Sequence, residues 1–140
     1  MLNKEATILL VEDDRVDVMT VQRALKKNAI DNPLHVARTA HDALAMLRGD
    51  DAPKIDPPPA LILLDLNLPK MSGIEFLKEL REDPGLSSLP VIVLTSSNEP
   101  RDRAAAFAYD VEDYIVKPHS FNEFAKIMKT VLNYWSPANE

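Results

Sequence analysis

Residues 57–73 read PPPALILLDLNLPKMSG. Three prolines lead into an apolar run, Ala60 to Leu64, which ends on a carboxylate, Asp65. The run has strand length, and turn-forming residues punctuate both sides of it. Uninterrupted oil of this length reads as a strand covered on both faces. An acid directly behind such a strand sits at the rim of the sheet, outside the core. The amide Asn67 and the Ser72-Gly73 turn follow it, and Ser72 is placed to cap a helix carrying Phe76, Leu77 and Leu80. Glu75 stands at the reciprocal capping-box position.

Outward from this stretch the pattern repeats. ATILLV (6–11), PVIVLT (90–95) and DYIVK (113–117) are further strand-length runs, and LHVAR (34–38) is a more polar, alternating one. Helical repeats lie between them: Val18, Val21 and Leu25; then Ala40, Leu44 and Leu47 behind Thr39 as N-cap. Phe121, Phe124, Ile127, Met128, Val131 and Trp135 follow Ser120. Segment 98–109, rich in alanine and charge, reads as a weakly packed helix. Strand alternating with helix gives an α/β fold, a parallel sheet with helices on both faces. The oily runs belong in its centre and 34–38 at an edge, and right-handed crossovers then give the order 2-1-3-4-5. GDDAPKIDPPP (49–59) reads as an exposed loop stiffened by proline, inserted in a single domain spanning 1–140.

Composition narrows the function classes. The chain has 140 residues, no cysteine and a net charge of −6. Disulfides, thiol nucleophiles and thiolate zinc sites are excluded. Nucleic-acid binding lacks its basic face. The apolar run near the N-terminus is too short for a signal peptide or a membrane span. The expectation is a cytoplasmic protein with no membrane and no nucleic-acid partner.

In an open parallel sheet, ligands bind beyond the carboxyl ends of the strands, where strand order reverses. Here that point falls between the first and third strands. The first ends in Glu12, Asp13 and Asp14, and the third in Asp65. The fourth ends in Thr95-Ser96 and the fifth in Lys117-Pro118. Two carboxylates ~4 Å apart repel by about 4 kcal/mol at an effective dielectric near 20. A lysine relieves this, and a hard divalent cation such as Mg²⁺ relieves it better. Asp65 could then attack phosphorus, with the Thr95 hydroxyl and the Lys117 ammonium holding phosphoryl oxygens. Singly, each residue has an ordinary reading: Asp65 a turn residue, Asp14 a helix cap, Thr95 core, Lys117 solvated. Their conjunction at strand ends raises the functional one.

These motifs, ILLVEDD, LILLDLNLPKMSGIEFL, PVIVLTSS and DYIVKP, resemble the response-regulator receiver domain of two-component signalling, from about Thr7 to Trp135. LTSSNEPRDR, VEDYIVKPHSF and the proline-rich insertion are similar to the stand-alone regulators of bacterial phytochrome histidine kinases. The resemblance implies a flavodoxin-like (βα)5 three-layer sandwich. It implies that Asp65 is the phosphoacceptor. Mg²⁺ would be bound by Asp13 and Asp65 directly, by Glu12 through water and by the Asn67 carbonyl. Thr95 would be the switch hydroxyl, Lys117 the phosphoryl-binding cation, and Tyr114 an aromatic that swings inward on phosphorylation. The Lys117–Pro118 peptide would be cis. Glu12 replaces the commoner Asp, AFAYDVEDY lacks the usual Gly-Ala, and His119 stands where an apolar residue is common.

The implied partner is a sensor histidine kinase, with a bacterial phytochrome as the specific case. His35, His41 and His119 are expected to be bystanders. With Glu140 just behind the last helix, no output domain is expected. Output would pass by contact to a downstream protein, a relay partner or a homodimer mate, for which Tyr134 or Trp135 could serve. Two rivals are disfavoured. An Mg²⁺-dependent aspartyl phosphatase needs an acid two residues after its nucleophile, where Asn67 stands. A flavin-carrying redox protein would find its phosphate repelled by EDDRVD. A phosphorelay shuttle stays open.

Overall fold

Among the described residues, strand-length oil and helical repeats resolve into ten elements. The computed structural model describes residues 5–50 and 53–134. In order these are β1 (Ile8–Val11), α1 (Arg15–Lys27), β2 (Leu34–Ala37), α2 (Ala40–Arg48), β3 (Leu61–Leu64), α3 (Gly73–Glu82), β4 (Val91–Thr95), α4 (Pro100–Ala108), β5 (Asp113–Val116) and α5 (Phe121–Tyr134). The five strands are parallel in the order β2-β1-β3-β4-β5. β1, β3 and β4 are buried throughout, whereas edge strand β2 alternates.

Side chains alternate across the sheet with period two. Leu9, Val11, Ile62, Leu64, Val91 and Val93 face α2, α3 and α4, meeting Leu44, Phe76, Leu77 and Ala106. Ile8, Leu10, Leu61, Leu63, Ile92 and Leu94 face α1 and α5, meeting Val21, Leu25, Phe124 and Met128. The result is three layers with a core on each face. Helix α4 is held lightly, with Ala106 its one buried residue.

The caps form largely as read. Asp14 accepts from the Val16 and Asp17 amides, Thr39 from Asp42, Ser72 from Glu75 and Ser120 from Glu123. At α3 only the Ser72 half of the capping box forms, and Glu75 points to solvent.

Two expectations need correction, and one local feature is now defined. The Lys117–Pro118 peptide is trans, and the cis bond lies at Asp56–Pro57. The two isomers of an X–Pro bond differ by only ~0.5–1 kcal/mol, so surroundings choose between them, not the sequence. The insertion is not wholly exposed. Ile55 is buried against the α2–α3 core and its amide bonds the Met46 carbonyl at 3.0 Å. A lone isoleucine among Pro and Asp carries no periodicity, so composition concealed the anchor. Where Gly-Ala is missing, Asp110 takes a left-handed backbone, φ 58°. Arg81 holds that loop by donating to the Tyr109 and Asp110 carbonyls at 2.8 and 3.2 Å. Its other bonds go to Ser87 and Leu89. Trp135 lies outside the described residues.

Candidate functional site

Strand register sets the site. Val11 pairs with Leu64 across β1 and β3, so Glu12 and Asp65 leave the sheet side by side. The Asp65 amide bonds the Val11 carbonyl at 3.1 Å, and the Lys117 amide bonds the Thr95 carbonyl at 2.8 Å. Continuing the alternation past Val11, Leu64 and Val116 puts Glu12, Asp65 and Lys117 on the α1/α5 side. Thr95 and Tyr114 fall on the α4 side.

The contacts agree. The Lys117 Nζ lies 2.6 Å from Glu12 Oε1, 3.0 Å from Asp17 Oδ2 and 3.4 Å from Asp65 Oδ2. Glu12 is 2% exposed, Asp65 6% and Thr95 0%. The Asn67 amide donates to Asp65 Oδ1 at 3.2 Å, while the rest of Asn67 is exposed. Thr95 Oγ1 accepts from the Ser97 amide at 3.4 Å. The Tyr114 ring is buried and its hydroxyl donates to the Ser97 carbonyl at 3.0 Å. Tyr114 therefore already points inward, and Ser97 joins it to Thr95.

The backbone around Asp65 is fixed by Gly73. A Cβ there would lie 2.6 Å from both the Asp65 carbonyl oxygen and the Leu66 Cα. The first turn of α3 thus packs directly on the peptide that carries Asp65, and the Gly73 amide bonds the Leu66 carbonyl.

Charge in the pocket is unbalanced, three carboxylates against one ammonium. Burial pushes the Glu12 carboxyl up to about 7, against the pull of Lys117. Burial acts the same way on Asp65, but the Lys117 charge, the Asn67 amide, the Thr95 hydroxyl and Glu12 outweigh it and hold Asp65 below its ordinary value. For Lys117 burial favours the neutral amine. Its bonds to Glu12 and Asp17 and the Asp65 charge reverse this, so it stays an ammonium well above the usual lysine range. Asp65 is thus an ionised, buried carboxylate with a cation alongside, the state a nucleophile needs.

The oxygens of Glu12, Asp17 and Asp65 come within 4.8 Å of one another. Such a hard, anionic set suits Mg²⁺ or Mn²⁺. Asp13 is half-buried beside it and outside that trio, and Arg38 bonds its backbone carbonyl. Five residues singled out from the sequence, Glu12, Asp65, Asn67, Thr95 and Lys117, therefore converge. Asp17 was missed. Its signal was available: it lies in the first turn of α1, and helical side chains lean back toward the N-terminus, here the end of β1. His35, His41 and His119 are all exposed. Among the described residues no helix is long and apolar enough to cross a membrane.

Comparison with known proteins agrees with the fold. Residues 8–129 match the response regulator receiver domain. The chain is 38% identical over 133 residues to the response regulator Rcp1 of Synechocystis sp. (strain ATCC 27184 / PCC 6803 / Kazusa), covering 95% of this chain and 90% of that one. The phosphorylated cyanobacterial phytochrome response regulator RcpA superposes with a TM-score of 0.86 at 34% identity, covering 94% of each chain. The Mn(2+)-bound form of Rcp1 superposes with a TM-score of 0.80 at 36% identity, covering 93% of this chain and 94% of that one.

Proposed function

The chain belongs to the response regulator receiver domain family, and from that premise we propose that it accepts a phosphoryl group on Asp65 from a phosphohistidine of a sensor histidine kinase. The observation that carries this reading is the Lys117 ammonium, placed between Glu12 and Asp65 at the carboxyl end of the sheet. An Asp65 carboxylate oxygen attacks phosphorus. The P–N bond to the kinase imidazole breaks, and its electron pair returns to that nitrogen. The product is an acyl phosphate on Asp65 and a free histidine.

Glu12, Asp13 and Asp65, with the Asn67 carbonyl, would hold Mg²⁺. The ion would supply charge neutralisation between the acids and the incoming phosphoryl oxygens. Lys117 offers N–H donors to those oxygens, and Thr95 offers its hydroxyl. Each charge-assisted hydrogen bond formed is about twice as strong as a neutral one. Phosphorylation adds nearly two negative charges beside Thr95. Thr95 shares Ser97 with Tyr114, so a shift of the threonine is passed to the β4–α4 loop and to the lightly held α4. A full flip between two states needs a preference of ~5.5 kcal/mol, within reach of a few such bonds.

The protein is therefore read as a signalling receiver, not a dedicated enzyme. It would act in the cytoplasm, its output a contact with a downstream protein, a relay partner or a second copy. The likeness to Rcp1 and RcpA supports a kinase coupled to a phytochrome. The test is a transfer assay with a panel of autophosphorylated histidine kinases. Rapid transfer from a phytochrome kinase, abolished in Asp65→Asn, supports the pairing. Rapid transfer from unrelated kinases alone overturns it, and no transfer from any kinase overturns the receiver reading.

A further inference from the structure

Asp17 is one of the three clustered carboxylates but has no part in the phosphotransfer proposed above, yet it holds the charge that this chemistry depends on. The Lys117 ammonium has three N–H bonds. Two point at Glu12 and Asp17 with charge-assisted lengths of 2.6 and 3.0 Å, and the third reaches Asp65 at 3.4 Å. The cation is thus drawn back from Asp65 by its other two partners. Its longest contact is the one to the proposed phosphoacceptor. Glu12 is buried and turned into the pocket, where a divalent cation would compete for it. The Asp17 side chain, 39% exposed, has no other hydrogen-bonded or ionic partner among the described residues.

Resting on the reading of Asp65 as phosphoacceptor, we propose that Asp17 is a positioning residue that tethers the Lys117 ammonium at the pocket mouth, so that the cation meets a phosphoryl oxygen without having to be recruited. The competing explanation is local: Asp17 occupies the first turn of α1, where any acid stabilises the helix dipole. Dipole stabilisation needs only a negative charge in that turn. It does not require the carboxylate to reach across to a lysine 100 residues away at 3.0 Å. Both residues also line one side of a cavity of about 370 Å³ between α1 and the β5–α5 loop, with Thr20, Ser96 and Phe121. Glu12 and Asp65 hold the ammonium from within the pocket, and Asp17 is its ionic partner among the residues lining that cavity.

The experiment uses four proteins: wild type, Asp17→Asn, Asp17→Glu, and Asp42→Asn as a control. Asp42 holds the equivalent first-turn position of α2, behind Thr39, and lies on the other face of the sheet. The first readout is the ¹⁵N-detected ammonium signal of Lys117 in metal-free protein, assigned with Lys117→Arg. The second is the rate of phosphoryl uptake from acetyl phosphate with Mg²⁺, followed by intact mass. Asp17→Asn is expected to shift the signal and speed its hydrogen exchange. It should slow uptake about fivefold, the upper range for a half-exposed ion pair. Asp17→Glu should restore the rate to within about twofold, and Asp42→Asn should leave both readouts at wild-type values. An unchanged signal in Asp17→Asn, or an unchanged rate, overturns the tether. So does an equal loss in Asp42→Asn, which would mark a generic helix effect. Failure of wild type to take up any phosphoryl group overturns the receiver reading instead, and the ammonium signal then decides the tether alone.

Discussion

Replacing Gly73 with alanine tests how tightly the fold holds Asp65. The added Cβ would stand 2.6 Å from the Asp65 carbonyl oxygen and from the Leu66 Cα, and 3.0 Å from Leu66 Cδ2. Ordinary contact begins near 3.4 Å, so the gap is about 0.8 Å too small. Both nearest atoms are backbone and cannot rotate aside. Either the first turn of α3 lifts or the end of β3 is pushed away. Overpacking of this kind costs ~1–3 kcal/mol. The helix preference of alanine over glycine returns at most ~1 kcal/mol, and less in a first turn. The net loss is therefore about 1–2 kcal/mol, a fall in Tm of roughly 6 °C for a chain of this size. The displacement also moves a nucleophile whose Lys117 contact is already 3.4 Å long. Misplacement approaching 1 Å can cost up to ~100-fold in rate. The assays are urea unfolding and phosphoryl uptake from acetyl phosphate. A variant as stable as wild type and phosphorylated at the same rate would refute the packing argument.

Three further outcomes follow from particular residues. Ala29 sits exposed at the C-terminal end of α1 with φ 55°, in a full Schellman arrangement of Ile30 N to Leu25 O and Ala29 N to Lys26 O. Ala29→Gly removes the left-handed strain and should raise the urea midpoint by the equivalent of about 0.5–1 kcal/mol, with the m-value unchanged. Arg81 donates to four carbonyls in two loops, α3–β4 and α4–β5. Arg81→Ala should destabilise by ~2–3 kcal/mol and speed amide exchange around Tyr109 and Asp110. Asp83 is held below its ordinary carboxyl value by its hydrogen bond to Arg48 and then by the Gly85 amide. A depressed carboxyl adds stability above pH 3.8 and loses it as pH falls through its lower folded value. The stability gap between wild type and Asp83→Asn should be present at pH 7 and close below that point in urea titrations.

Much of this architecture was legible because it rests on periodicity. The buried strands are continuous oil and β2 alternates, so the sheet order could be read before any coordinate. Glu12, Asp65, Thr95 and Lys117 were legible for a related reason: each is the polar residue that ends or directly follows an apolar run. What stayed hidden depends on the third dimension. Asp17 could be placed at the start of α1, but its pairing with Lys117, 100 residues on, could not. Arg81 carried no pattern, since its ligands are backbone carbonyls of loops. Ile55 was masked by the prolines around it. Tyr114 follows from the resemblance alone, as an aromatic that swings inward on phosphorylation, and its inward bond to Ser97 in this structure depends on the path of the β4–α4 loop.

The central claim is that Asp65 is the nucleophile of a pocket built for a phosphoryl group. Intact-mass analysis after incubation with acetyl phosphate and Mg²⁺ tests it most directly. The account predicts a single added phosphoryl group on wild type and none on Asp65→Asn. A label that persists in that variant, or maps to a serine, threonine or histidine, would contradict it.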